Sequence, residues 1–300
     1  MRRDTEFKTE DGVTLRGWFY SAEGAGADKA ATVIMAHGFS ATKEMHLDDF
    51  AAHFAADGLN VLVYDNRNLG DSDSPLRGEI DPWQQIRDYR DAITFAGTLD
   101  EVDPGRIGIW GSSYSGAHVL VVGAIDRRVG CVVSQVPLID GLTNARRLIR
   151  SDLWAGLRQG LDGDRVARWK GEPAGMIPVI SEDPMGACVL PTADSAAFFT
   201  QITKARETRW ENAVTLRSVE YFTEYNPGAY IADLAPTPLM LVVAKDDHLT
   251  PADLALEAYE RALEPKKLLL LPGGHFDAYV DEAFATSAPQ QSAWFREHLS

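Results

Sequence analysis

Six consecutive residues, Gly111-Ser112-Ser113-Tyr114-Ser115-Gly116, stand between an apolar run at 106–110 (RIGIW) and a stretch at 114–125 that reads as a helix. A tight strand-to-helix turn of this kind can hold a serine in a strained backbone conformation with its hydroxyl exposed. The turn demands small residues two positions to either side, and Gly111 and Ser115 flank Ser113 in that way. The strict G-x-S-x-G spacing is broken, because the second glycine falls at Gly116. A serine hydroxyl is a poor nucleophile at neutral pH and needs a positioned base. Of the seven histidines, His275 lies in the loop Pro272-Gly273-Gly274-His275, just past the last strand pattern. An imidazole base needs a carboxylate that fixes its tautomer and stabilises its charged form. Asp246 and Asp247 follow the apolar run at 238–244 and offer one. Nucleophile, acid and base, in the chain order Ser, Asp, His, supply the parts of covalent acyl transfer.

Each of these groups needs a strand to hold it. Alternation and aromatic content at 13–20 suit an early antiparallel strand, and short apolar runs at 31–36, 60–64, 106–110, 130–136, 238–244 and 267–271 suit buried ones. Between them lie helical patterns. Leu47, Phe50 and Phe54 mark one face of a helix over 47–57 closed by Gly58, and Asp81-Pro82 supplies an N-cap and first residue for another. Further helices are expected over 114–125, 251–263 and 276–298. Strands alternating with helices over this length imply an α/β fold with a mostly parallel central sheet covered on both faces.

Residues 137–235 break the alternation. They hold Trp154, Trp169, Trp210, Phe198, Phe199, Tyr221, Phe222 and Tyr225 among prolines, glycines and Arg-rich helical patches. Ligand sites of open α/β sheets lie beyond the carboxyl ends of the strands. This stretch is therefore expected to be a helical cap inserted between a core of 1–136 and 236–300. It could also build a homodimer.

The chain has 300 residues, 45% hydrophobic and 24% charged, with 29 Lys and Arg against 44 Asp and Glu, a formal net charge of −15. That composition belongs to a globular protein, and the charge disfavours nucleic acid and anionic membrane as partners. Cys131 opens an apolar run and reads as a reduced, buried thiol rather than half of a bridge with Cys188. The first residues carry no apolar stretch of a secretory signal, and no window reaches the roughly 18 to 20 apolar residues of a membrane span. A cytoplasmic location follows as an expectation.

These residues and their order resemble the α/β-hydrolase superfamily across nearly the whole chain. The segments HGFSATKE and GSSYSG are similar to its dienelactone-hydrolase-like and X-prolyl-peptidase-like branches, to acetylxylan esterase-like hydrolases and to fungal polyketide thiohydrolases. The resemblance implies an α/β-hydrolase fold with Ser113 as nucleophile, His275 as base and Asp247 as acid. Asp247 is preferred to Asp246 because such loops commonly place a proline four residues after the acid, and Pro251 fits. It also implies an oxyanion hole from the backbone N–H groups of Phe39 and Tyr114. Neither a cofactor nor a metal is expected. A serine nucleophile argues against epoxide hydrolase and haloalkane dehalogenase chemistry. The expected activity is hydrolysis of a carboxylic ester or lactone of an apolar small molecule. Thioesterase, acyltransferase or small peptidase activity on the same triad is the alternative, and an inactive binding protein on the same scaffold is the reading from outside catalysis.

Other residues receive plainer roles. His37 is expected to shape the oxyanion loop, and His248 to be a loop residue. His46 and His53, seven apart on one helix with Asp48 and Asp49 between them, make a poor chelate. The loop 65–72, which resembles the D-x-R-x-x-G loop of the superfamily, is expected to brace the sheet edge.

Overall fold

The computed structural model describes residues 1–24 and 29–300. Its centre is an eight-stranded sheet built from β1 (Arg2–Lys8), β2 (Thr14–Tyr20), β3 (Ala30–Ala36), β4 (Asn60–Tyr64), β5 (Val102–Ser112), β6 (Val129–Gln135), β9 (Leu239–Ala244) and β10 (Lys266–Leu271). The order across the sheet is β1-β2-β4-β3-β5-β6-β9-β10. From β4 to β10 every pairing is parallel, whereas β1 with β2 and β2 with β4 are antiparallel. The mostly parallel sheet expected from the alternation is the one observed. β1 is an addition: its charged sequence RRDTEFK is largely exposed and buries only Phe7, so no hydrophobic run announces it.

Side chains alternate between the two faces, as the pleat requires. Val33, Met35, Val61, Val63, Met240 and Val242 join one core with Phe50, Phe54, Trp294 and Phe295. Ile34, Leu62, Leu239 and Leu241 join the other with Ile86, Tyr89, Ala117 and Ala258. Helices α1 (Leu47–Ala56) and α9 (Asp281–His298) thus cover the first face, while α2 (Pro82–Ala96), α3 (Tyr114–Ile125) and α8 (Ala252–Arg261) cover the second. Asp81 caps α2, its side chain accepting from the N–H groups of Trp83 and Gln84. The single C-terminal helix expected over 276–298 is instead a short turn at Asp277–Tyr279 followed by α9.

Parallel strands bring their carboxyl ends to one edge. In register, Ala36 sits opposite Gly111, Ser112 opposite Gln135, and Ala244 opposite Leu271. Between β6 and β9 the chain forms α4 (Gly141–Leu148), α5 (Trp154–Trp169), α6 (Ala193–Ala205) and α7 (Leu216–Glu224), with the two-residue strands β7 (Met176–Ile177) and β8 (Val214–Thr215) paired with each other. Arg206, just after α6, reaches α1 with an ion pair to Asp48 and another of 2.7 Å to Asp49. Among the described residues, no helix is long and apolar enough to cross a membrane.

Candidate active site

Ser113 stands between β5 and α3 at φ 58° and ψ −114°. For a residue with a Cβ, this conformation costs on the order of 1–3 kcal/mol and persists only where the surroundings impose it. They do so here. Ser113 N–H donates to the Gln135 carbonyl at 2.8 Å, while the Ser113 carbonyl accepts from Ala117 and Leu138 at 3.1 and 3.2 Å. The turn is so tight that a Cβ at position 111 would lie 2.1 Å from the Ser115 carbonyl oxygen, which explains Gly111. The departure from G-x-S-x-G at position 115 also has a physical basis. Ser115 is buried and its hydroxyl donates to the His37 carbonyl at 2.5 Å, tying the turn to the loop after β3.

That loop carries Gly38 and Phe39. A Cβ on Gly38 would come within 2.8 Å of the Ser113 Cβ, so the two loops are in van der Waals contact. His37 is fully buried; its Nε2 accepts from the Asn66 N–H at 3.0 Å, and its Nδ1 lies 2.9 Å from the Gly38 carbonyl. Burial lowers its tendency to protonate, which suits a neutral ring with Nδ1–H donating to Gly38. His37, fully buried with both ring nitrogens engaged, therefore holds the loop. Among the described residues neither the Phe39 nor the Tyr114 N–H has a protein acceptor. Both residues line the same cavity as Ser113. Their rings meet edge-on at 5.3 Å, and Phe222 of α7 stacks on Tyr114 at 5.8 Å.

In the wall of the same cavity, His275 Nδ1 lies 2.7 Å from Asp247 Oδ2, with both side chains 1% exposed. Asp247 Oδ1 accepts from the Leu249 and Thr250 N–H groups at 2.9 and 2.8 Å, so the carboxylate is fixed from behind. Nδ1 thus carries the proton given to Asp247 and leaves Nε2 as the basic nitrogen. Asp246 and His248 are exposed and do not meet His275. The structure therefore brings together Asp247 and His275 in the wall of a cavity that Ser113, Phe39 and Tyr114 also line.

Sequence reasoning missed Thr250. Its Oγ1 is 2.9 Å from Asp247 Oδ2, 3.1 Å from His275 Nδ1 and 3.0 Å from the Val136 carbonyl, which links the acid–base pair to β6. No spacing rule singles out a threonine three residues after the acid. The aromatic residues of 137–235 divide. Phe198, Phe199 and Phe222 line the cavity, whereas Trp169 is 91% exposed and Tyr225 is buried beneath α3 against His118. The cavity measures about 1080 Å³, and its walls include Leu138, Leu148, Leu157, Leu190 and Val219.

The remaining candidates take structural places. His118 is buried between Tyr225 and Gln85, and burial pushes its imidazole down to about 3. His46 pairs with Asp49 at 2.8 Å. The loop 65–72 braces the sheet edge: Lys43 Nζ lies 2.7 Å from Asp65, 2.7 Å from Asp71 and 2.6 Å from Glu44. Among the described residues those three carboxylates are the only acidic or metal-ligating trio close enough to share a cation, and a lysine already fills it. Cys131 and Cys188 are both free thiols.

Comparison with known proteins places the family and the fold. A model of the alpha/beta hydrolase family matches residues 33–287. A thiohydrolase of Eupenicillium brefeldianum is 30% identical over 299 residues, spanning 98% of this chain and 94% of its own. The thiohydrolase aneE of Aspergillus aculeatus is 32% identical over 273 residues, 88% of this chain and 83% of its own. The crystal structure of the α/β-hydrolase GrgF from Penicillium sp. sh18 superposes with a TM-score of 0.86 at 29% identity, covering 100% of this chain and 99% of that one.

Proposed function

The chain belongs to the alpha/beta hydrolase family, and from that premise we propose that it hydrolyses a carboxylic ester or lactone of an apolar small molecule through an acyl-enzyme on Ser113. The observation that carries the reading is the buried Asp247–His275 pair at 2.7 Å in the wall of the cavity lined by Ser113.

Ser113 Oγ attacks the acyl carbon and its proton passes to His275 Nε2. Negative charge collects on the former carbonyl oxygen, where the Phe39 and Tyr114 N–H groups receive it; removing one such donor costs roughly 3–4 kcal/mol in comparable sites. Asp247 stabilises the imidazolium without taking its proton. His275 then protonates the leaving group as the tetrahedral intermediate collapses to the acyl-enzyme. Water, deprotonated by the same nitrogen, repeats the sequence and releases the acid. No step draws on a cofactor. In this reading residues 137–235 form a cap, and its aliphatic and aromatic lining selects an apolar acyl or alkyl group.

A thioester is the second reading, favoured by relatives named thiohydrolase at 30% and 32% identity. The same steps serve, with a thiolate as leaving group. A series of p-nitrophenyl esters and the matching p-nitrothiophenyl esters tests both. The proposal expects turnover in the series that disappears in Ser113→Ala, with the oxygen or sulfur ester preferred according to the natural bond. Turnover that survives Ser113→Ala overturns it.

A further inference from the structure

The nucleophile and the base belong to strands separated by two others, since β6 and β9 lie between β5 and β10. At roughly 4.8 Å per strand step, their ends are about 14 Å apart across the sheet. Ser113 and His275 can meet only if the loops carrying them lean toward each other and stay there. The Asp247 contact orients the imidazole from the β9 side, and it does not fix the distance to the turn after β5.

A second contact spans that gap. Ser112, the residue before the nucleophile, is fully buried, and its Oγ lies 2.5 Å from the hydroxyl of Tyr279. Tyr279 is four residues past His275 and closes the short turn Asp277–Tyr279, with its N–H donating to the Phe276 carbonyl at 3.2 Å. The Asp277 carboxylate accepts from the Gly274 N–H at 2.7 Å, which ties the start of the segment 274–279 to its turn. Burial raises the Tyr279 phenol above its ordinary range, which keeps it a neutral hydroxyl able to donate. Behind Ser112 the contact continues into the core. Gln135 Nε2 is 3.5 Å from Ser112 Oγ, Gln291 Nε2 donates to Gln135 Oε1 at 2.9 Å, and Trp110 Nε1 donates to Gln291 Oε1 at 2.5 Å. Gln135, Gln291 and Trp110 are all fully buried, and α9 contributes Gln291.

We propose that Tyr279 is a positioning residue for the reaction: through its hydrogen bond to Ser112 it sets the gap between Ser113 Oγ and His275 Nε2. The inference rests on the reading of Ser113 and His275 given above. Tyr279→Phe removes one oxygen and leaves the ring against Phe276, with which it stacks at 6.4 Å. Ser112→Ala removes the other partner.

The test measures labelling of Ser113 by a fluorophosphonate, and kcat and KM on the preferred ester, in the two single variants, the double variant and the parent chain. Unfolding midpoints establish that each variant is folded at the assay temperature. The proposal expects each single variant to lose about tenfold in labelling rate and in kcat with KM unchanged. It expects the double variant to be no slower than the slower single one, because both substitutions break the same bond. Singles within twofold of the parent, a loss confined to KM, or losses that multiply in the double variant overturn it. A parent chain that folds but does not label overturns the nucleophile itself, whereas a parent that labels at the same rate as its variants overturns this inference alone.

Discussion

Two helices at the edges of the same cavity are built in opposite ways. In α3, which begins at the residue after Ser113, every position from Tyr114 to Ala124 is buried. In α5, of sixteen residues, only Asp164 is buried, and Leu153, Val166 and Trp169 at or near it stand open to solvent. The first helix cannot shift without disturbing both the sheet and its opposite loops, so the strain at Ser113 is sustained by packing on all sides. The second shapes the cavity through Leu157 and Gly156 while bearing little of the core. Groups assigned to the chemistry therefore sit on the part of the molecule that tolerates least change. Groups assigned to substrate choice sit on the part that tolerates most.

Substitutions at the turn around Ser113 should have the largest effect. Ser113→Ala is expected to lower kcat by about 10⁴-fold or more, as loss of a triad nucleophile does, with the unfolding midpoint unchanged. Gly111→Ala places a Cβ 2.1 Å from the Ser115 carbonyl oxygen. It should destabilise the fold by about 2–3 kcal/mol through overpacking and depress activity, both readable from urea titration and ester hydrolysis on one preparation.

On α3 itself, buried His118 offers a test by pH. Its folded form resists protonation down to about 3, against 6.5 for the ordinary imidazole. Between those values the unfolded chain binds more protons, so stability is complete above 6.5 and falls as pH drops toward 3. At pH 5 the loss is about 2 kcal/mol. His118→Gln, which can still reach Tyr225 and Gln85, should remove that part of the pH dependence. Equal slopes for the two proteins between pH 7 and 5 would refute the assignment.

The insertion should answer more gently. Leu157→Trp narrows the cavity and is expected to raise KM for long acyl esters by about tenfold, the scale of one methylene in an apolar pocket, and to raise it far less for acetyl esters. Trp169→Ala, at a side chain 91% exposed and outside the cavity wall, should change stability by less than about 0.5 kcal/mol. A large loss there would mean that α5 is covered in solution.

The same contrast governs what could be read from sequence. The buried strands are continuous apolar runs, and α2 announces itself by Asp81-Pro82, so those elements were legible to within a few residues. That Ser113, Asp247 and His275 come to one cavity was legible, because chemistry restricts their types and strand ends give them a common edge. β1 was not, since its pairing with β2 rests on backbone hydrogen bonds and it buries one side chain. Thr250 and Tyr279 were not, because their roles come from distances across the sheet edge rather than along the chain. The residue that breaks the strict G-x-S-x-G spacing, Ser115, bonds through its hydroxyl to the opposite loop, which spacing along the chain does not show. Among the insertion's aromatics, sequence could not tell Phe222 in the cavity wall from Trp169 in solvent, for both sit among polar and helical residues of similar pattern.

In the proposed reaction Ser113 alone among the serines of its turn is the activated nucleophile. The direct measurement is the intact mass of the folded protein after incubation with a fluorophosphonate, followed by mapping of the modified peptide. A single adduct on Ser113 is expected, and it is lost in His275→Ala. An unlabelled folded protein, or an adduct on Ser112 or Ser115, would contradict it.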